Sequence, residues 1–213
     1  MYLAGEIDQI LESKKDRLIK PSSYFFICDV LNRAFRKTLP FKFKYETYKN
    51  YLRNEYSVSG LYDMDINVKY VILNFSEAYK TLHIGDNRWR EFKFSVSQVC
   101  QHESIHQSQW QYRDGSEMDR SSLEFRESRR PRAEEKEYLS DLDEIDAYAH
   151  DIAMEIKFYY PKHHPYDVLK TLNQRKKLWS YSYYKKTFKG ENWDPIKARL
   201  LKKTYLWLPY VQV

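Results

Sequence analysis

A mixed α+β fold is predicted for this 213-residue sequence. Three observations predict it: apolar residues recur at helical spacing over 3–35, a strongly β-forming run occupies 66–75, and helical spacing returns after residue 95. The order is therefore N-terminal helices, a small sheet and then further helices. A chain of this length is expected to form one domain, with or without an appended lobe.

Two helices are predicted at the N-terminus. The first spans 3–18, with its apolar residues at Leu3, Ile7, Ile10, Leu11 and Leu18. Pro21 then interrupts the helical pattern, and the serines at 22–23 are candidate N-caps for the second helix. The apolar stripe predicted for that helix is Ile27, Val30, Leu31, Ala34 and Phe35.

A small sheet is predicted between these helices and the middle of the chain. Residues 41–51 alternate basic and aromatic side chains, which predicts a strand followed by a turn or short helix. Residues 66–75 form the clearest strand of the chain. A turn is expected at 85–87, and 89–94 is predicted as a short strand that leads into the next helix.

The helix predicted over 95–112, with Ser95 or Ser97 as its cap, carries His102-Glu103-Ser104-Ile105-His106. Two histidines four residues apart point the same way on a helix, so both imidazoles can reach one Zn²⁺. Glu103 then lies beside the ion and can take a proton from a water held there. Two alternatives stay open, namely a pair of surface histidines and a zinc site with a purely structural role.

A catalytic zinc needs a third protein ligand and an open fourth position. Residues 107–114 contain no histidine, which excludes a nearby downstream histidine ligand. A later helix, capped by Ser140 or Asp141, offers Glu144 on a face that also carries the small Ala147. The core face predicted for this helix is Leu142, Ile145, Ala149, Ile152 and Ile156. Asp143 and Asp146 are candidates of shorter reach, and Glu144 can also be an ordinary acidic first-turn residue.

With Glu144 downstream of the HExxH motif at 102–106, the chain resembles the gluzincin group of zincin metallopeptidases over roughly 68–156. The resemblance implies N-terminal helices and a small mixed sheet packed on the HExxH helix. It also implies Zn²⁺ bound by His102, His106 and Glu144, and Glu103 as general base in hydrolysis of a protein or peptide substrate. Residues 138–149 are further similar to small proteins encoded by tailed bacteriophages.

Two further expectations come from the resemblance. Gluzincins often place an aspartate four residues after the ligand glutamate to orient a histidine, whereas this chain has Tyr148 there. Asp151, one turn further on, is the candidate substitute.

An edge strand of the zincin sheet binds extended peptide by backbone pairing, and 66–75 is a candidate for that strand. A plain core strand is the alternative for 66–75.

Composition limits the class of protein. Hydrophobic residues make up 42% and charged residues 31%, and no run of 18 apolar residues is present, so no membrane partner is expected. Cys28 and Cys100 are the two cysteines, which indicates a reducing compartment and two core residues rather than a disulfide framework. The N-terminus lacks the features of a signal peptide. A cytoplasmic location is therefore expected, in the host cell or alternatively in the virion if the protein is phage-encoded.

Two segments differ in composition from the rest. Residues 113–138 are dominated by charge, which predicts a mobile insertion that acts as a lid or as a plain linker. Residues 157–213 hold 13 Lys or Arg against 3 Asp or Glu, a net charge of +10. They predict a basic, aromatic-rich helical lobe that follows a metal-binding region at 1–156 within the same domain. His163 and His164 in this lobe are candidates for stabilising an oxyanion.

The sequence therefore predicts a zinc-dependent metallopeptidase. Two alternatives from other classes remain. The chain can be a non-enzymatic phage structural or host-interaction protein that carries a zinc site. It can also bind nucleic acid through 157–213, where basic side chains would track phosphates and aromatic rings would stack on bases. An acidic protein partner would suit the same residues.

Overall fold

The computed structural model describes residues 3–113, 131–189 and 193–213. The predicted α+β class is confirmed, with helices forming most of the structure and a small sheet between them. Two compact units are formed by Met1–Ser108 and Gln109–Val213. The division predicted from composition at residue 156 falls inside the second unit. Within the described ranges, no helix is both long and apolar enough to cross a membrane.

The first unit opens with three helices, α1 (Ala4–Glu12), α2 (Lys15–Leu18) and α3 (Tyr24–Phe35). The single helix predicted over 3–18 is wrong in its continuity. Helix α1 ends at Glu12. The hydroxyl of the next residue, Ser13, donates to the Ile10 carbonyl at 2.7 Å and competes with the backbone hydrogen bonds of the helix. The second predicted helix and its serine cap are confirmed. Ser23 caps α3 by accepting a hydrogen bond from the Phe26 backbone N–H at 3.2 Å.

A mixed three-stranded sheet follows, built from β2 (Phe41–Tyr48), β3 (Tyr56–Asp63) and β4 (Val68–Ser76). The strand order is β2-β4-β3, with β4 parallel to β2 and antiparallel to β3. The predicted strand at 66–75 is thus present, but its proposed role as an edge strand is wrong. Both edges of β4 are already hydrogen-bonded to neighbouring strands, so its backbone has no edge to offer a peptide.

A two-residue antiparallel ladder joins β1 (Ser22–Ser23) to β5 (Thr81–Leu82). Helix α4 (Asp86–Tyr112) then begins after Gly85, whose φ of +69° is the left-handed conformation that favours glycine. The predicted strand at 89–94 is wrong, and so are the caps at Ser95 and Ser97, since these residues lie inside α4. The Ser95 hydroxyl instead donates to the Glu91 carbonyl at 3.0 Å.

The core of the first unit combines α1, α3, the sheet and α4. Helix α4 contributes one buried face to it, at Trp89, Phe92, Val96 and Cys100. The sheet contributes buried residues of β2 and β4 such as Phe43 and Val71. The prediction that both cysteines are core residues is confirmed, because Cys28 is 5% and Cys100 0% exposed. Burial raises the pKa of Cys28 to about 12.

The second unit begins in the last turn of α4 and is otherwise helical, as predicted for its C-terminal part. Its helices are α5 (Pro131–Ser140), α6 (Leu142–Tyr159), α7 (Pro165–Lys170), α8 (Trp179–Thr187) and α9 (Trp193–Trp207), with a 3-10 turn at Leu172–Gln174. Of the charged segment at 113–138, residues 114–130 lie outside the described residues. The remainder after 130 belongs to α5.

Helix α6 is the centre of this unit. Asp141 caps it as predicted, its carboxylate accepting a hydrogen bond from the Asp143 N–H at 2.7 Å. Four of the five residues predicted for its core face are buried: Ile145, Ala149, Ile152 and Ile156. The fifth, Leu142, is 54% exposed. As the first residue of α6 its side chain tilts beyond the helix end, so no neighbouring turn covers it.

The aromatic residues of 157–213 divide into two groups. Tyr181, Tyr184 and Phe188 are buried in the core of the second unit. Trp179, Tyr183, Tyr205 and Tyr210 are exposed. The prediction of a helical lobe whose aromatics form the core therefore holds for only part of the set.

Candidate metal centre

The two histidines of α4 converge as the four-residue spacing predicts. The distance between the Nε2 atoms of His102 and His106 is 3.1 Å. Two nitrogens bound to one tetrahedral zinc at ~2.0–2.1 Å would lie roughly 3.3 Å apart. His102 is buried, with 9% of its surface exposed, and His106 is half-buried. The pair therefore has the separation and shelter that one zinc ion requires.

Glu144 completes a group of three candidate ligands. One ligand atom from each of His102, His106 and Glu144 lies within 4.8 Å of the other two. Glu144 is 8% exposed. Among the described residues, these side chains are the one group of three or more His, Cys, Asp or Glu that could hold an ion. Two nitrogens and one carboxylate oxygen form a donor set that suits zinc.

The other two carboxylates of the first turns of α6 are used elsewhere. The guanidinium of Arg113 pairs with the Asp143 carboxylate, and the Gln109 side chain donates to the Asp143 carbonyl at 3.3 Å. The Asp146 carboxylate accepts from the indole N–H of Trp207 at 3.2 Å and pairs with Lys203 at 3.0 Å. These contacts tie Asp143 and Asp146 to other partners, and neither belongs to the group of candidate ligands that includes Glu144.

Glu103 lies against the edge strand β3. An added Cβ at Gly60 would lie 2.2 Å from Oε1 of Glu103, a distance that no real Cβ tolerates. Only a glycine therefore allows the carboxylate to occupy its present position. Glu103 is 5% exposed, so the residue predicted as general base is sheltered from bulk water. Gly60 was not among the predicted site residues, and the signal for it is a lone glycine within an alternating segment.

A buried lysine fixes the next turn of α4 on the sheet. Lys69 of β4 is 4% exposed, and its ammonium donates to the Gln107 side-chain oxygen at 2.6 Å. Burial lowers the pKa of Lys69. The Gln107 amide donates in turn to Asn67 at 2.8 Å, which also accepts from the Tyr62 hydroxyl at 2.9 Å. This network anchors the helix one turn beyond Glu103, and no local sequence pattern pointed to it.

Two tyrosine rings of α8 pack against Tyr148, one turn after Glu144 on α6. The ring of Tyr148 lies 6.1 Å from that of Tyr183 and 5.2 Å from that of Tyr184. Although Tyr183 is 37% exposed overall, partial burial raises its pKa, and its hydrogen bond to Glu135 and the nearby charge of Glu144 raise it further. Asp151 is 6% exposed and lies beside His150; its role in orienting a zinc ligand stays a prediction.

His163 and His164 lie in the turn between α6 and α7. Both are exposed, and the ring of His163 packs against that of Tyr160 at 5.9 Å. Neither belongs to the group of candidate metal ligands. Their position is that of ordinary turn histidines, and it gives no support to a role in oxyanion stabilisation.

Comparison of the chain with protein-family models, with curated proteins and with solved structures finds no match. The geometry of His102, His106, Glu144 and Glu103 is therefore the basis for a functional assignment. The similarity to gluzincins and to phage proteins stays a prediction.

Proposed function

We propose that this chain is a zincin-like, zinc-dependent metallopeptidase of the gluzincin type. The observation that carries the proposal is the convergence of His102, His106 and Glu144, with Glu103 next to the first histidine. The fold is consistent with it, since helices and a small mixed sheet precede and pack on the helix that carries the motif. The phage origin implied by the resemblance is part of the same proposal.

His102, His106 and Glu144 would hold the ion, and three protein ligands are the number typical of a catalytic zinc. Bound zinc supplies Lewis acidity, which polarises a scissile carbonyl and makes water a stronger acid. Within the described ranges no fourth His, Cys, Asp or Glu joins the group. That count favours a catalytic site over the alternative of a structural zinc in a non-enzymatic phage protein, because structural zinc has four protein ligands.

Glu103 is the general base of the proposed mechanism. Its carboxylate follows His102 directly and is held against Gly60 in a buried position. From there it takes a proton from the attacking water and passes it to the leaving amine of the cleaved peptide bond. A structural zinc site has no use for this carboxylate, so its shelter beside the ligands also supports the catalytic assignment.

The activity itself is tested by removal and return of the metal. The purified chain is incubated with an unfolded protein substrate, then treated with a chelator and finally supplied with equimolar zinc. We expect cleavage to stop on chelation and to return with zinc, because the metal supplies the Lewis acidity on which hydrolysis would depend. Cleavage that continues without metal, or no cleavage with zinc bound, would contradict the proposal.

Substitution Gly60→Ala tests whether the β3 contact positions Glu103. The new methyl group would lie 2.7 Å or less from Cγ, Cδ and Oε1 of Glu103, so this side chain must move, and a thermal melt checks that the variant folds. Catalysis is sensitive to displacements of about 1 Å, which can cost roughly 100-fold. We therefore expect a loss of kcat approaching that size with full zinc content, measured by peptide cleavage and elemental analysis.

Gly5→Ala is the matched control for Gly60→Ala, because a Cβ at Gly5 meets nothing within 4 Å. Gly5 lies in α1, where alanine is the better helix former by roughly 0.5–1 kcal/mol. This variant should keep full activity with unchanged or higher thermal stability. Equal activity of the two variants would show that Gly60 does not position the base.

A further inference from the structure

The basic side chains of one segment of the second unit have no part in the proposed peptidase site. Residues 157–189 contain nine Lys or Arg and one acidic residue, Asp167, a net charge of +8. Asp167 pairs with Lys170 at 3.4 Å. Lys157 and Lys185 donate to uncharged groups, the Val211 carbonyl and the Asn173 side chain. Most of the positive charge of this segment is therefore not neutralised by carboxylates within the described residues.

Aromatic rings are interleaved with these cations. The guanidinium of Arg175 lies 5.0 Å from the centre of the Tyr160 ring, and the ammonium of Lys177 lies 5.5 Å from that of Tyr159. The end of α6 and the segment that leads into α8 thus form one surface. The backbone at Arg175 is extended, and Lys176 is exposed between its two neighbours.

Trp179 lies at the end of this surface. It is 64% exposed, whereas the preceding Leu178 is completely buried and anchors the segment. An exposed indole two residues after a run of cations offers a flat ring on which an unpaired base can stack. The basic-aromatic surface is defined here as Tyr159, Tyr160, Arg175, Lys176, Lys177 and Trp179.

We propose that the basic-aromatic surface binds single-stranded nucleic acid. Cations would contact successive phosphates, and Trp179 with the tyrosines would stack on unpaired bases. The aromatics alternate with cations rather than gather on one apolar face, which favours stacking over insertion into a lipid surface. An acidic protein would satisfy the lysines but gives no reason for the exposed indole.

Binding of a fluorescein-labelled 20-nucleotide oligothymidylate to the full chain is measured by fluorescence anisotropy at several salt concentrations. We expect log K to fall linearly with log salt. Trp179→Ala should weaken binding by roughly 5- to 100-fold, the range for loss of a stacked base. The double substitution Lys176→Glu and Lys177→Glu, made in the unmodified chain, should weaken binding more than Trp179→Ala does. It should also reduce the salt dependence of binding.

Matched controls lie on α9 and after it. Arg199→Glu with Lys202→Glu makes the same charge change at exposed positions, and Tyr210→Ala removes an aromatic that is 57% exposed. These variants should bind nearly as tightly as the unmodified chain, and thermal melts check that all variants fold. The proposal is overturned if the controls lose as much affinity as the test variants or if Trp179→Ala binds normally. It is also overturned if polyglutamate or vesicles with anionic lipid bind as tightly as the oligonucleotide.

Discussion

Substitution Glu103→Gln is expected to abolish peptide hydrolysis and to leave zinc binding intact. Glutamine has the same shape, so it fits the position against Gly60, but it cannot accept the proton from water. General-base catalysis is worth about 10²- to 10⁴-fold in rate, and loss of at least that factor is expected in kcat. The measurement is cleavage of a fluorogenic peptide together with zinc content.

Glu91→Gln is the control for this prediction. Glu91 is an exposed residue of the same helix, so the chemical change is identical but lies away from the candidate ligands. This variant should hydrolyse peptide at the normal rate. Activity that survives Glu103→Gln would contradict the mechanism, and loss of zinc in that variant would assign Glu103 to the metal rather than to the proton.

The histidine pair could be predicted because it depends only on local geometry. Any continuous helix through His102 and His106 brings the two rings together, whatever lies around it. The candidate ligand Glu144 could not be predicted from the motif helix alone, since it lies on another helix. Its prediction depended on the capping of α6 by Asp141, which sets the direction of Glu144 relative to the core face, and its role as a ligand stays a prediction.

The start of α4 was predicted as a strand because its first residues, taken alone, look more like a strand than a helix. Residues 89–94 are rich in aromatics, which are typical of strands. The helical spacing of Trp89, Phe92, Val96 and Cys100 becomes visible only over three turns. The predicted start of the helix is therefore nine residues too late, and the predicted serine caps lie inside α4.

Strand β3 was missed for a different reason. Ser57, Ser59 and Gly60 are weak strand formers, and the segment owes its conformation to pairing with β4 along its whole length. Its central residue, Gly60, meets a side chain 43 positions later in the sequence. A lone glycine in an alternating segment does not show which side chain it meets, so the contact with Glu103 could not be predicted.

Substitution Glu144→Ala is expected to remove the zinc and with it all hydrolysis. Loss of a partner that only orients a ligand costs roughly 10- to 100-fold in metal affinity, and loss of a ligand itself should cost more. The two remaining imidazoles are too few to retain zinc through dialysis. The variant should still fold, because Glu144 lies in the first turn of α6 and the buried apolar residues of that helix, such as Ile145 and Ile152, are unchanged.

Zinc content per chain, measured by elemental analysis after dialysis, shows whether Glu144 and the two histidines bind one ion. Asp146→Ala is the control, because this carboxylate lies on the same helix and contacts Trp207 and Lys203. We expect about one zinc ion per chain in the unmodified protein and in Asp146→Ala, and almost none in Glu144→Ala. Full zinc content in Glu144→Ala, or none in the unmodified protein, would contradict the proposed zinc site.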